Sequence, residues 1–386
     1  MKKILLLGIN GVYNYGCEAI VRGTENIIKE FIPDAVIDYA SYRVEDDIER
    51  LHDCDVNIIS RPLKRFTFKN FLRKILTYFG VELYFSRDSY ALVKNYDAVF
   101  SIGGDIYTLS PDGSAPYSLM KLGDLCERKG IRYILWGCSV GPFDESKRAL
   151  KAMKKHLAKI SLIVAREERT IKYLRGIGIE KNVVFAPDPA FLVGCEIKRE
   201  SQNAGKINRI GINLSPLSAI VTNRSVEESI KLQVSVIVSL LEKSDAEIYL
   251  VPHVICDFFE NDDDFRYLEK IKDKLPSYYQ ERVTLMQKDI GFIETKKRLM
   301  TCDVVVAARM HCAINSSSAG ISTILLSYSE KAKGMSEFIY GNTKYVIPVK
   351  EFSSISEKIE EISNSNYEIG LNIDIKLWKE AFSRLL

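Results

Sequence analysis

The chain has 386 residues, of which 46% are hydrophobic and 27% charged, and its net charge is +3. This composition is typical of a soluble globular protein, and the length favours two domains over one. The small net charge argues against nucleic acid as a partner. Eight cysteines lie scattered without a Cys-x-x-Cys pair, which argues against a zinc site and a disulfide framework and fits a reducing cytoplasm.

Short apolar runs alternate with longer helical patterns in the first half of the chain. The first run, residues 3–9, indicates a buried strand, because its apolar part is too short for a signal peptide. Further predicted strands are 35–41, 56–60, 98–104, 132–140 and 161–166. Predicted helices are 17–31, 115–129, 145–159 and 167–177. Such alternation predicts a parallel sheet covered by helices.

A second alternating set follows the polar segment 196–208, where we expect the domain boundary. Its predicted strands are 209–215, 247–254, 282–286, 303–309 and 322–328, and its predicted helices include 225–244 and 310–319. The expected domains are 1–197 and 206–370. An amphipathic C-terminal helix, 371–386, follows, with packing against the N-terminal domain as one option. No run of about 18 apolar residues occurs, so we expect no membrane span.

The segment 61–79 departs from this order, because it holds six basic residues, no acidic ones and several aromatic rings. One interpretation is an insertion that packs on the first domain with its charges in water. The other is a peripheral patch for an anionic membrane surface.

In doubly wound sheets, ligands bind at the carboxyl ends of strands, near helix N-termini. Asn14 and Glu18 follow the first strand and are candidates for binding the hydroxyls of an acceptor, although Glu18 also suits a helix N-terminus electrostatically. Asp105 ends a Gly-Gly-Asp turn after the fourth strand, where a structural capping role is the alternative. Arg166 follows the sixth strand, where an unpaired charge is unfavourable, so it needs an anion from the protein or from a ligand.

The second domain presents a basic strand end of its own. Only four histidines occur in the chain, and His311 stands two residues after Arg309, while Lys331 follows the next strand. A lone histidine is usually structural, but two cations beside an imidazole suit a small phosphorylated acid. The remaining residues predicted to bind this donor are Ser215, His253 and Asn315. No metal cluster appears, so we expect no metal requirement.

Seven motifs in chain order carry a family resemblance: NYGCEAI, GGD, GCSVGP, AREERT, APDPAF, RMHCAINSSSAG and SYSEKAKG. Together they resemble the polysaccharide pyruvyl transferases, over most of the chain from Gly8 to Gly341. The resemblance implies two Rossmann-like α/β domains facing a cleft, a GT-B-type architecture, with 1–197 on the acceptor side and 206–370 on the donor side. It also implies phosphoenolpyruvate as co-substrate, no cofactor, and a pyruvate ketal that bridges two hydroxyls of a sugar. The sugar would belong to a bacterial capsule or exopolysaccharide or to its lipid-linked precursor, and phosphate would be released.

The resemblance also implies roles for individual residues. His311 and Arg166 match the positions that the family uses around the donor and the reaction centre, and Lys331 matches a family lysine. His311 is then the predicted acid, because an imidazole titrates near neutrality. Asp105 is the predicted base. The predicted anion holders are Arg166, Arg309 and Lys331.

Two positions depart from the family pattern: Cys17 stands where the family often has Asp, and Asp105 replaces the third glycine of a Gly-Gly-Gly run. Two other functions stay open. One is a glycosyltransferase of the same architecture with a nucleotide sugar as donor, since fold alone does not separate the two. The other is an inactive binding or scaffold subunit of a polysaccharide assembly complex. The expected location is the cytoplasm, with contact to the inner face of the membrane through residues 61–79 as an option.

Overall fold

A computed structural model of the chain describes residues 2–61, 86–110, 113–194, 196, 206–327, 331–363, 371 and 373–385. Most of the basic, aromatic segment 61–79 lies outside these residues, and so does most of the expected boundary 196–208. The membrane and boundary predictions for these two segments therefore stay predictions.

Two compact units make up the fold. The first comprises Met1–Val12, Ile20–Pro189 and Ile375–Leu386, and the second comprises Tyr13–Ala19 and Ala190–Asp374. Asn14 and Glu18 therefore belong to the second unit, whereas the sequence interpretation assigned the whole of 1–197 to the first.

A seven-stranded, fully parallel sheet forms the centre of the first unit, with the order β3-β2-β1-β4-β5-β6-β7. Its strands are β1 Lys3–Leu7, β2 Val36–Ser41, β3 Asn57–Ser60, β4 Ala98–Ile102, β5 Arg132–Cys138, β6 Leu162–Ala165 and β7 Val183–Phe185. Its helices are α1 Tyr15–Phe31, of which the first turn belongs to the second unit, α2 Val44–Arg50, α3 Ser86–Val93, α4 Tyr117–Arg128, α5 Lys147–Leu157 and α6 Glu168–Gly176. Six strands were predicted, and β7 was missed.

The strands are continuous apolar runs because helices cover both faces of the sheet, so that every side chain of a strand is buried, as in parallel sheets generally. Leu5, Leu6 and Leu7 of β1 are all fully buried. The end of the chain also packs on this unit: Phe382 stacks on Phe31 with ring centroids 4.8 Å apart. Phe382 lies in a short helix, Lys379–Ser383, which follows a 3-10 turn at Ile375–Trp378.

The second unit contains a six-stranded parallel sheet with the order β10-β9-β8-β11-β12-β13. Its strands are β8 Arg209–Asn213, β9 Glu247–Leu250, β10 Val283–Leu285, β11 Val304–Ala307, β12 Ser322–Ser327 and β13 Val346–Pro348. Its helices are α7 Leu217–Thr222, α8 Val226–Lys243, α9 Asp264–Asp273, α10 Ser277–Gln280, α11 Gly291–Leu299, α12 Met310–Ser318, α13 Lys331–Tyr340 and α14 Ile355–Ser363. Among these strands, only β13 was not predicted.

Both sheets reverse their strand order next to their first strand, between β1 and β4 and between β8 and β11. Such a switch point is where doubly wound sheets bind ligands. Asp105 follows β4, and Arg309 and His311 follow β11. The predicted residues thus lie at the binding edges of their own sheets.

Candidate functional site

The loop before α1 is joined to the segment after β9 by backbone hydrogen bonds within the second unit. Tyr15 N donates to His253 O at 3.1 Å. Ile255 N donates to Tyr13 O at 3.0 Å. Between these two bonds, Asn14 and Val254 form an isolated antiparallel bridge. The Asn-Tyr-Gly motif therefore lies at the binding edge of the second sheet.

Asn14 directly precedes α1 and caps the first turn of this helix. Its Oδ1 accepts a hydrogen bond from Gly16 N at 2.9 Å, and its carbonyl accepts from Cys17 N at 2.8 Å and from Glu18 N at 3.1 Å. These contacts give Asn14 a structural role in the helix start. Its predicted contact with an acceptor stays a prediction.

Glu18 is buried and bonded rather than exposed at the helix start. Its Oε2 accepts a hydrogen bond from Phe292 N, in the first turn of α11, at 3.0 Å. Phe292 O in turn accepts from Asn315 Nδ2 at 3.1 Å. Glu18 and the helix α12 that carries Asn315 are therefore linked through one backbone residue, and the predicted contact of Glu18 with an acceptor stays a prediction.

His311 lies in the first turn of α12 and packs directly against Gly16. A Cβ added at Gly16 would lie 2.7 Å from His311 Cβ and closer still to its Cγ and Nδ1. Contacts shorter than 3.0 Å are essentially absent from real structures, so only glycine fits at this position with the imidazole as it stands. The Asn-Tyr-Gly motif and the Arg-Met-His motif thus form one packed site.

Arg309, the residue before α12, is anchored by its own unit. Its backbone N donates to Asn213 Oδ1 at 2.8 Å. Its Nη2 donates to Asp264 Oδ1 at 2.8 Å and to Asp262 Oδ1 at 2.7 Å. Burial alone would lower the pKa of Arg309, but the two carboxylates hold it above its ordinary value. The guanidinium is therefore charged and already compensated, and donor binding by Arg309 stays a prediction.

Asp264 fixes several parts of this site at once. Besides Arg309, it accepts hydrogen bonds through Oδ2 from the backbone N of His253 at 3.2 Å and of Val254 at 3.1 Å. It is fully buried at the first position of α9. Sequence reasoning missed Asp264 and Asp262, although three consecutive Asp residues before a helical pattern were a visible signal.

His253 is a fully buried imidazole. Its ring packs edge-on against Tyr15, with centroids 5.5 Å apart, and against Phe292, at 5.8 Å. Burial, and then the nearby charges of His311 and Arg309, hold the pKa of His253 well below its ordinary value. His253 is therefore neutral, and within the described part of the chain neither ring nitrogen has a hydrogen-bond partner.

Three more predicted donor residues of the second unit have different surroundings. Ser215 is buried and its Oγ accepts from Leu217 N at 3.3 Å, at the start of α7. Asn315 is buried on α12, and its Oδ1 has no hydrogen-bond partner among the described residues. Lys331 is the first residue of α13, and its side chain lies outside the described part.

Arg166 belongs to the first unit, where it is buried in a cluster of its own. Its Nη1 donates to Asp188 Oδ2 at 2.7 Å, and its Nη2 donates to Asp105 Oδ1 at 3.2 Å. Its Nε donates to Ser139 Oγ at 3.2 Å. Burial would lower the pKa of Arg166, but Asp188 and Asp105 hold it above its ordinary value. The required anion is therefore supplied by the protein.

The two carboxylates around Arg166 differ in exposure. The Asp188 side chain is fully buried, whereas that of Asp105 is 52% exposed. Gly104 allows the guanidinium of Arg166 to lie close to the backbone beside Asp105, because a Cβ added at Gly104 would lie 2.7 Å from Arg166 Nη2 and closer still to Nη1. Sequence reasoning did not select Asp188, although it stands in the quoted APDPAF motif. The role of Asp105 as a base stays a prediction.

Among the described residues there is neither a metal-binding cluster nor a bilayer-spanning helix. No group of three or more His, Cys, Asp or Glu side chains there is arranged to hold a metal ion. Within the same residues, no helix is both long enough and apolar enough to span a bilayer.

Comparison with known proteins adds a family and a fold. The family model described as polysaccharide pyruvyl transferase matches residues 14–330. No curated protein matches.

Among solved structures, UDP-GlcNAc 2-epimerase from Methanocaldococcus jannaschii is similar at 15% identity and a TM-score of 0.62, over 100% of this chain and 99% of that one. Anabaena HepE, in complex with UDP and glucose, is similar at 11% identity and a TM-score of 0.56, over 95% and 90% of the two chains. At such identities the likeness shows the fold alone, and it confirms the predicted pair of Rossmann-like domains of GT-B type.

Proposed function

The chain belongs to the polysaccharide pyruvyl transferase family, and from this premise we propose that its donor is phosphoenolpyruvate. In the proposed reaction, pyruvate is transferred to two hydroxyls of one sugar in a polysaccharide or its lipid-linked precursor. The product is a pyruvate ketal, and phosphate is released.

One observation carries this proposal beyond the family: His311 is held against Gly16 in the first turn of α12, beside neutral His253. Ketal formation from an enol phosphate needs an acid at the methylene carbon. His311 suits that task because an imidazole side chain is able both to donate and to accept a proton. The N-terminal end of α12 also favours the negative charges of the donor.

The proposed reaction begins at the methylene carbon of the donor. His311 donates a proton to the methylene carbon, which becomes a methyl group, and an oxocarbenium-like centre forms at the neighbouring carbon. One sugar hydroxyl adds to that centre and loses its proton to a base. The carbon–oxygen bond to phosphate then breaks, and a second hydroxyl adds. Of the two hydroxyl protons, one restores the acid and the other leaves with phosphate.

The remaining roles are assigned in the proposal on the family resemblance. Asp105 is proposed as the base, and Arg166, Arg309 and Lys331 are proposed to hold the donor's anionic groups. The partly exposed Asp105 carboxylate supports its assignment, since a base must reach its proton.

The test is a reaction of the purified protein with phosphoenolpyruvate and a panel of glycans, in which phosphate release and the new ketal methyl signal are followed by NMR. His311→Ala is expected to lower the rate about 100- to 10,000-fold, the usual effect of losing a general acid. His52→Ala is the matched control, because His52 is an exposed histidine of the first unit.

Three results would count against the proposal. Near-normal turnover by folded His311→Ala would remove His311 from the mechanism. Turnover of a nucleotide sugar without any use of phosphoenolpyruvate would indicate the glycosyltransferase alternative. Binding of glycans without turnover of either donor would indicate a binding or scaffold subunit.

A further inference from the structure

Two adjacent phenylalanines face solvent close to the candidate site. Phe258 and Phe259 are 54% and 55% exposed, and they lie between His253 and the start of α9. Single exposed apolar residues are ordinary, but a pair of large exposed rings beside a functional site is informative.

The two rings are held by a short, well-bonded segment. The ring of Phe258 packs edge-to-face on Tyr13, with centroids 5.0 Å apart and an interplanar angle of 84°. The carbonyl of Phe259 accepts from Asp262 N at 3.0 Å, and Asp262 is itself bound to Arg309. The segment is therefore tied at both ends to the Asn-Tyr-Gly loop and to the residue that precedes α12.

Strand order places these rings at the same sheet edge as His311. The strands β9, β8 and β11 are neighbours, and the rings follow β9 while His311 follows β11. The segment after β8 adds further apolar surface at this edge, since Ile220 on α7 is 68% exposed. A ligand on the rings therefore lies at the binding edge of the second sheet.

The charges around the rings favour a neutral ligand. Asp257 pairs with Lys288 at 2.8 Å, and Glu260 pairs with Lys270 at 2.6 Å. Arg266 lies 3.6 Å from Asp257 and 3.4 Å from Asp263, so each of these cations is paired with a carboxylate and no positive excess remains. An anionic lipid surface requires such an excess. A sugar ring instead presents an apolar C–H face to aromatic rings and hydroxyl donors to carboxylates.

We propose that Phe258 and Phe259 form a stacking platform for a neutral sugar ring of the acceptor. The identification of this sugar with the acceptor rests on the proposed function. Binding of the sugar to the platform does not, because it requires neither donor nor turnover.

The experiment measures sugar binding by saturation-transfer difference NMR in the absence of phosphoenolpyruvate. The probes are methyl glycosides of galactose, glucose, mannose and N-acetylglucosamine. The wild type is compared with Phe258→Ala/Phe259→Ala and with Phe258→Tyr/Phe259→Tyr, which keeps both rings. Tyr278→Ala is the matched control, because Tyr278 is 81% exposed and precedes β10, at the amino ends of the strands, whereas the two rings follow β9 at the carboxyl ends.

We expect at least one probe to bind the wild type, with C–H protons of one ring face most strongly saturated. The affinity of the double Ala variant for the sugar should be lower by about 3- to 10-fold for each ring removed. The affinities of the double Tyr variant and of Tyr278→Ala should equal that of the wild type. Equal binding by the double Ala variant, or no binding of any probe to the wild type, would overturn the platform. The platform would also be overturned if no sugar binds and the wild type, but not the double Ala variant, floats with anionic vesicles or self-associates. If sugars bind but no donor is turned over, the platform stands and the proposed function fails.

Discussion

Gly16→Ala tests whether the Asn-Tyr-Gly motif serves the imidazole of His311. The added Cβ would meet the His311 ring well inside 3.0 Å, whereas ordinary contact begins at 3.4 Å. The ring must therefore retreat by roughly 1 Å, a displacement that is able to lower a catalytic rate about 100-fold. Overpacking destabilises by about 1–3 kcal/mol, and the helix propensity of Ala over Gly offsets about 1 kcal/mol of that. The expected variant is folded and nearly inactive.

Two measurements follow this change. Phosphate release reports the rate, and the imidazole NMR spectrum reports the ring, which is assignable because the chain has only four histidines. Gly176→Ala is the matched control, since no atom lies within 4 Å of a Cβ added there. Unchanged turnover together with an unshifted His311 signal in Gly16→Ala would refute the packing argument. A shifted signal with unchanged turnover would refute the role of His311 in the rate.

Two further predictions concern buried charge and titration. Arg166→Ala removes the guanidinium that pairs with fully buried Asp188, so the free energy of unfolding should fall by about 3–5 kcal/mol. Exposed Arg169→Ala should change it by less than about 0.5 kcal/mol, and equal urea midpoints for both variants would contradict this. Because the folded-state pKa of His253 lies well below 6.5, the unfolded chain binds the proton first as pH falls, and stability is lost below pH 6.5 by up to about 1.4 kcal/mol per pH unit. His253→Phe has no imidazole at this position and should not show this loss. An equal difference in stability between wild type and His253→Phe at pH 7.5 and at pH 5.5 would contradict the prediction.

The sequence predicted most of both sheets because their central strands are continuous apolar runs. Such runs have no competing interpretation when glycines and helical patterns flank them, as at Lys3–Leu7 and Val304–Ala307. The missed strands, Val183–Phe185 and Val346–Pro348, have three residues each and lie at sheet edges. Runs that short carry no measurable period, and their pairing depends on the neighbouring strand.

The residues of the candidate site were found more easily than their partners. Arg309 and His311 were visible because charged and titratable groups directly after a buried run are unusual. Asp264 was not selected, because its link to Arg309 joins segments 45 positions apart in the chain. The contact between Gly16 and His311 spans a still larger separation, and no local pattern encodes it.

Each unit compensates its strand-end arginine in the same way, with one buried carboxylate and one that reaches solvent. Arg166 binds fully buried Asp188 and half-exposed Asp105, and Arg309 binds fully buried Asp264 and partly exposed Asp262. Stripping a buried carboxylate of its cation is strongly unfavourable, whereas an exposed one is readily rehydrated. An anionic donor that used either guanidinium would therefore replace the exposed carboxylate first. In the first unit that carboxylate is Asp105, so arrival of the donor at Arg166 would free the proposed base.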